Sequence, residues 1–285
     1  MNIAVTFLPR QEPTPLPPIA FIGGGNMASA IIAGLIRQDT PAATFEVVEP
    51  FAEARERLAR DFGIVAQAEA GAALARCELV VWAVKPQSFA EAARPVRGLA
   101  PDALHLSVAA GIPSASIARW LGTERVVRAM PNTPALVGQG MTGLFAREAV
   151  DAAGRKRVEQ VLGATGELLW VEAEEALDAV TAISGSGPAY VFYFIEALTE
   201  VGIELGLTPA QAHQLAVGTF SGATALAASA SEPPAVLRER VTSKGGTTYA
   251  AITSMENADV AGEIKAAARA AHQRARELGA EFGKA

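Results

Sequence analysis

The chain has 285 residues, half of them hydrophobic and 19% charged, which is enough apolar side chain for one large core or two ordinary ones, and two domains are expected. Its net charge of −6, with Lys and Arg dispersed along the chain, excludes nucleic acid or an anionic membrane as the main partner, because phosphate binding needs clustered cations. The single Cys77 excludes an intramolecular disulfide, and His105, His213 and His272 stand too far apart in sequence to read as a metal site. No basic, apolar and small-residue leader pattern opens the chain, so a cytoplasmic location is expected.

Pro9, Pro13, Pro15, Pro17 and Pro18 oppose helix and sheet ladders, so residues 1–17 are expected as a tail outside the fold, with residues 3–8 able to pair only as an edge strand. Residues 19–22 read as a short buried strand, residues 23–28 as a glycine turn, and the Ala- and Ile-rich run to about Arg37 as a helix. Gly23 and Gly25 hold the first two positions of a dinucleotide fingerprint and Ala28 the third, so backbone can approach a pyrophosphate seated on the helix N-terminus. A second strand over residues 45–49 ends in Glu49, about 20 residues beyond the loop, where a carboxylate meets ribose hydroxyls and repels the extra phosphate of NADP. The competing reading of Glu49 is an exposed strand-end acid beside Pro50.

A helix is expected over residues 52–61, then a short strand near Ile64, a small helix over 72–76 and a buried strand over 79–84 that Lys85 and Pro86 stop. Ligands of open α/β sheets sit at the carboxyl ends of strands, which turns Ala83, Val84 and Lys85 towards the nucleotide, with Pro86 closing the strand; the alternative for Lys85 is a solvated turn lysine. Residues 103–107 form a strand, and Val108, Ala109, Ala110 and Gly111 leave a small-residue opening for a flat ring. A helix over 113–121 and a strand over 125–130 follow, the latter broken by Pro131, Asn132, Thr133 and Pro134. The Asn132 amide suits a carboxamide or a loop backbone equally. Strands over 140–146 and 167–171 flank a helix over 149–162.

By Val171 the strand–helix alternation is finished. The fold class expected is therefore α/β, a doubly wound Rossmann-type sheet followed by an all-α domain. Its divisions are a tail over 1–17, an NAD(P)-binding domain over 18–168 and a helical domain for substrate and dimerisation over 169–285.

In the helical half, a polar loop over 181–187 runs into an apolar helix that Gly206 ends in a left-handed conformation. Ser184 or Ser186 is expected to cap it, with Pro188 in the first turn. Glu196, Glu200 and Glu204 form one charged stripe and the rest of the circumference is apolar, so either a core or a second subunit must bury it, and a subunit interface is favoured. Thr208, Pro209 and Gln211 make a capping box for a helix to about Ala230; Pro233 and Pro234 break it and residues 235–240 form a short helix. A second polar glycine loop holds Ser243, Lys244, Gly245, Gly246, Thr247 and Thr248 just before a helix N-terminus. It suits an anion or simple capping; paired with the loop over 184–187, it points to a small carboxylate ligand. Helices over 247–256 and 260–282 close the chain.

Five stretches stand in the order of one known family: Phe21-Ile-Gly-Gly-Gly-Asn-Met-Ala28, Ala83-Val-Lys-Pro86, Met130-Pro-Asn-Thr-Pro134, Ile183-Ser-Gly-Ser-Gly-Pro-Ala-Tyr190 and Val241-Thr-Ser-Lys-Gly-Gly-Thr-Thr248. Over residues 19–282 the chain resembles the pyrroline-5-carboxylate reductases. The resemblance implies reduction of 1-pyrroline-5-carboxylate to proline by hydride from NADPH or NADH, and a homodimer that often assembles into a decamer. It implies that residues 243–248 hold the substrate carboxylate, with Thr248 near the ring nitrogen as hydrogen-bond partner or proton donor, and that Glu232 lies near the site. It also places Asn26, Met27, Ala83, Lys85, Ala109 and Asn132 around the cofactor. Lys244 stands where the family has proline, Ala129 where valine is usual, and Ala70 where an asparagine often touches the adenosine. Two competing readings are a dehydrogenase of the β-hydroxyacid type and a non-enzymatic nucleotide sensor. The first needs a proton-accepting lysine on the helical domain, and the central helix has none.

Overall fold

A computed structural model describes residues 16–283. The expected tail lies outside the described residues up to position 15, as does the edge strand at 3–8; Leu16 packs partly buried against the main core.

Seven strands form one sheet: β1 (Ile19–Ile22), β2 (Phe45–Val48), β3 (Leu79–Trp82), β4 (Leu104–Ser107), β5 (Val126–Met130), β6 (Gly140–Ala146) and β7 (Gly166–Trp170), in the order β2-β1-β3-β4-β5-β6-β7. Every neighbouring pair is parallel except β5 with β6. Each residue of β1, β3 and β4 is buried, because helices cover both faces of a parallel sheet. One face packs Phe21, Ile31, Leu35, Val81 and Leu106; the other packs Ile22, Val80, Trp82, Phe89 and Ile117. The winding reverses around β1, which lies between β2 and β3, and puts the topological switch point at the carboxyl ends of β1 and β3. This is the doubly wound, Rossmann-type arrangement.

Helices α1 (Asn26–Arg37), α2 (Ala52–Phe62), α3 (Phe89–Val96), α4 (Ser114–Leu121) and α5 (Ala152–Leu162) connect the strands. One expectation changes here, and one helix forms that was not expected. No strand forms at Ile64: Gly63 ends α2 in the left-handed region, and the segment after it makes only an isolated bridge between Gln67 and Val48. Helix α3 forms although Pro95 lies inside it and cannot donate to the Glu91 carbonyl one turn back, since Phe89, Ala93 and Val96 share one buried face.

After β7 the chain is helical: α6 (Ala176–Val180), a π-helical turn over Thr181–Gly185, α7 (Gly187–Glu204), α8 (Pro209–Ser229), α9 (Pro234–Arg240), α10 (Thr247–Asn257) and α11 (Val260–Phe282). The expected loop over 181–187 is thus helical, and neither Ser184 nor Ser186 caps α7: Ser186 has right-handed helical backbone and the π turn carries the chain straight through. The capping box at Thr208 and Gln211 is present, and Gly206 has φ 97°. Helices α7 and α8 cross closely, a Cβ on Gly202 falling 2.9 Å from that of Ala212. Phe192, Tyr193 and Leu198 of α7 are 62%, 71% and 47% exposed in the single chain, so a cover must come from outside it. Among the described residues no helix is long and apolar enough to cross a membrane.

Several contacts tie the helical half to the sheet domain, two of them at Glu174 and at the end of α11. Glu174 accepts hydrogen bonds from the Ser114 amide at 2.6 Å and hydroxyl at 2.5 Å, and pairs with Arg128 at 2.5 Å. Burial alone would raise the Glu174 pKa, but Arg128 and the Ser114 donors hold it below the ordinary carboxylate value. The end of α11 packs Leu278 and Phe282 against Gly111.

Candidate active site

The glycine turn after β1 is shaped by close approach. Gly23 has φ 95°, and a Cβ there would stand 2.7 Å from the Ala83 carbonyl oxygen, so no other residue fits. Its N–H donates to the Val48 carbonyl at 2.8 Å, which fixes the turn across the switch point. Gly25 is the N-cap of α1 and supplies no side-chain cap; no acid lies in the first turn, and a Cβ on Gly25 would meet nothing within 4 Å. Uncapped N–H groups therefore face open space beside exposed Asn26 and half-buried Met27. That donor set fits a pyrophosphate.

Glu49 is 6% exposed, which overturns the exposed-acid reading. Its Oε2 accepts the Gly24 N–H at 2.7 Å and its Oε1 accepts the Phe51 N–H at 2.9 Å. A carboxylate fixed at this strand end by backbone donors suits the ribose position of a dinucleotide.

Across the switch point, Ala83, Val84 and Pro86 are half-buried and Lys85 is exposed, at the start of a short 3₁₀ turn over Pro86–Ser88. Ala109 is buried and Ala110 half-buried, and the Ala109 N–H donates to Ser107 Oγ at 3.3 Å. Gly111 has φ 75°.

Asn132 bonds loop backbone in this structure. Its Oδ1 accepts the Met141 N–H at 2.9 Å, and its Nδ2 donates to both the carbonyl and the hydroxyl oxygen of Ser184 at 3.2 Å. Ser184 Oγ donates in turn to the Met141 carbonyl at 3.2 Å. A cavity opens beside this joint, lined by Asn132, Ser184, Gly187, Pro188, Tyr190, Phe194 and Phe220. Tyr190 Oη donates to the Ala182 carbonyl at 3.0 Å and closes the π turn from the side. Half-buried Ser186 makes no side-chain cap.

The second polar loop is built differently. Gly245 has φ 78°, and the Gly246 N–H donates to the Ser243 carbonyl at 3.0 Å. Gly246 is the N-cap of α10 and no side chain caps that helix, so the simple-capping reading fails. Ser243, Lys244 and Thr247 are exposed, and Thr248 is half-buried in the first turn. Half-buried Glu232 pairs with Arg240. Among the described residues no hydrogen bond or ion pair joins this loop to residues 184–187, and it does not line the cavity there. One chain does not bring the two loops together.

Sequence reasoning did not single out Gly24, Phe51 or Phe220. Gly24 and Phe51 enter through backbone N–H groups, which carry no side-chain signal, and Phe220 lies in a helix whose apolar pattern reads as ordinary packing.

Comparison with known proteins adds a family. A family model described as pyrroline-5-carboxylate reductase dimerisation matches residues 174–278, and one described as NADP oxidoreductase coenzyme F420-dependent matches residues 18–111. The chain is 45% identical over 270 residues to the pyrroline-5-carboxylate reductase of Pseudomonas aeruginosa, covering 94% of this chain and 99% of the relative. It is 40% identical to that of Haemophilus influenzae, covering 91% and 97%. Among solved structures, pyrroline-5-carboxylate reductase from Coxiella burnetii superposes with a TM-score of 0.85 at 36% identity, over 92% of this chain and 98% of that one. The Plasmodium falciparum pyrroline carboxylate reductase with NADP bound gives 0.83 at 25% identity, over 92% and 98%. With identity of this size sustained over nearly the whole of both chains, the protein belongs to the pyrroline-5-carboxylate reductase family.

Proposed function

We propose that this chain reduces 1-pyrroline-5-carboxylate to proline with hydride from NADPH or NADH, the last step of proline biosynthesis. The observation that supports it best is the joint between Asn132 and Ser184, which sets the carboxyl end of the sheet and the start of α7 on one cavity. A protonated cyclic imine is already a good electrophile, so the protein's task is positioning more than acid–base chemistry. The nicotinamide, when bound, supplies the hydride.

In this reading Gly23, Gly25, Asn26 and Met27 hold the pyrophosphate, Glu49 holds the ribose, and Ala83, Val84, Lys85, Pro86, Ala109 and Ala110 flank the cofactor with Asn132. Ser243, Lys244, Gly245, Gly246 and Thr247 receive the substrate carboxylate at the uncapped N-terminus of α10, and Ser184 and Ser186 line the pocket from α7. The Thr248 hydroxyl meets the ring nitrogen. Glu232, its charge offset by Arg240, lies near the site in this reading. The nucleotide-binding domain expected over 18–168 runs on to the end of β7 at Trp170, because the expected boundary falls inside that strand, and the helical domain follows it. The chain works as a homodimer: a second copy covering the exposed face of α7 also closes the cavity beside Ser184, because Val191 and Phe192 belong to both.

Oxidation of NADPH or NADH that depends on added 1-pyrroline-5-carboxylate tests the proposal, and a folded dimer that consumes neither cofactor refutes it.

A further inference from the structure

We propose that Arg55 admits the 2′-phosphate of NADPH beside Glu49, so that the turn after β2 accepts both nicotinamide cofactors. The inference rests on the reductase reading above and concerns which cofactor it takes.

Glu49 alone argues for NADH, since a carboxylate at the ribose position repels a phosphate. In the structure that carboxylate is engaged on both oxygens by the N–H groups of Gly24 and Phe51. Arg55, in the first turn of α2, lies over the same turn: its Nη1 donates to the Glu49 carbonyl at 2.9 Å and to the Pro50 carbonyl at 2.7 Å. Those two bonds hold the guanidinium at the end of β2. They leave its Nε and Nη2 hydrogens without a partner among the described residues, and no carboxylate pairs with it there. The remaining edge of a planar guanidinium matches two phosphate oxygens at once.

Phe51 fits the same ligand in two ways. Phe51, the N-cap of α2, provides no side-chain cap, so the first amides of that helix add positive potential at this spot. Its ring is 72% exposed on a backbone tied to Glu49, which offers a flat surface for a purine. Glu53 in the first turn, Glu56 and Asp61 are the opposing charges on that helix, all of them exposed. A ribose with a free 2′-hydroxyl meets Glu49, and one with a 2′-phosphate meets Arg55.

Titration calorimetry with adenosine 2′,5′-bisphosphate and with ADP reads this without any turnover. Wild-type protein should bind both, and Arg55→Gln should weaken the bisphosphate about 10-fold more than ADP, as expected for loss of a charge-assisted phosphate contact. In steady state the NADPH-to-NADH ratio of kcat/KM should fall by a similar factor in Arg55→Gln and rise in Glu49→Gln. Equal loss for both nucleotides, or a wild type that does not bind the bisphosphate, overturns the proposal. Should Arg55→Gln fail to fold, Arg55→Lys and the salt dependence of wild-type binding decide: a steeper slope for the bisphosphate supports it and equal slopes overturn it. Because no pyrroline-5-carboxylate enters the calorimetry, an error in the substrate leaves this test standing.

Discussion

Asn132, just beyond the end of β5, reaches Ser184 in the π turn before α7, with Nδ2 3.2 Å from both serine oxygens, while its own Oδ1 takes the Met141 N–H. One amide thus links the carboxyl end of β5 to the helical half. Asn132→Ala strands the Met141 N–H and removes two bonds to Ser184, so we expect a loss of about 1–3 kcal/mol in stability, together with lower kcat/KM. Urea unfolding and steady-state kinetics check this; wild-type stability would show that the joint carries no weight.

Thr248 stands in the uncapped first turn of α10. Thr248→Ala should lower kcat/KM by about 10-fold, roughly 1.4 kcal/mol of transition-state stabilisation, while Thr248→Ser should restore most of it. Equal kinetics for wild type and the alanine variant would remove the hydroxyl from the chemistry.

Tyr193 tests the dimer more cleanly than Phe192 or Phe194, which line the cavity beside Ser184. Tyr193 is 71% exposed in one protomer and lies outside that lining, so Tyr193→Glu disturbs little within it. It should yield a folded, inactive monomer by light scattering and circular dichroism. An active monomer breaks the link between assembly and catalysis.

His105 makes stability depend on pH. Burial lowers its pKa to about 4, a bond to the Ala100 carbonyl opposing this only in part, and its Nδ1 accepts the Trp82 indole N–H at 3.0 Å. The unfolded chain takes up a proton below about 6.5, whereas the folded chain waits until about 4, so unfolding is favoured increasingly as pH falls through that window, by about 3 kcal/mol in all. Glu174, with its lowered pKa, loses its contribution in the same direction at more acid pH. Denaturant titrations followed by tryptophan fluorescence should show the wild-type midpoint falling faster between about pH 6.5 and 4 than that of His105→Gln. Parallel curves would assign the acid sensitivity elsewhere.

Most of the sheet is legible because β1 and β3 are apolar on both faces and are punctuated by glycine or Lys85-Pro86. The capping box at Thr208 was legible for a similar reason, as a local pattern with a local cause. Where tertiary contacts decide, the sequence misleads. Pro95 hides α3, and Ser184, Gly185 and Ser186 look like a loop although the bonds of Ser184 to Asn132 and Met141 accompany a π turn. The burial of Glu49 depends on the Gly24 and Phe51 amides, which no side-chain pattern announces, and the guanidinium of Arg55 reaches back over that turn only once α2 has formed. The candidate site was read as two serine–glycine loops facing one another. In the single chain they stand apart: among the described residues no hydrogen bond or ion pair joins them, and the loop over 184–187 is tied instead to Asn132.

The most direct measurement is the fate of the hydride. Protein incubated with 1-pyrroline-5-carboxylate and NADPH or NADH carrying deuterium at the transferable position should yield proline with the label at C5, in step with cofactor oxidation. Cofactor oxidation without labelled proline, or none at all from a folded dimer, would contradict the assignment.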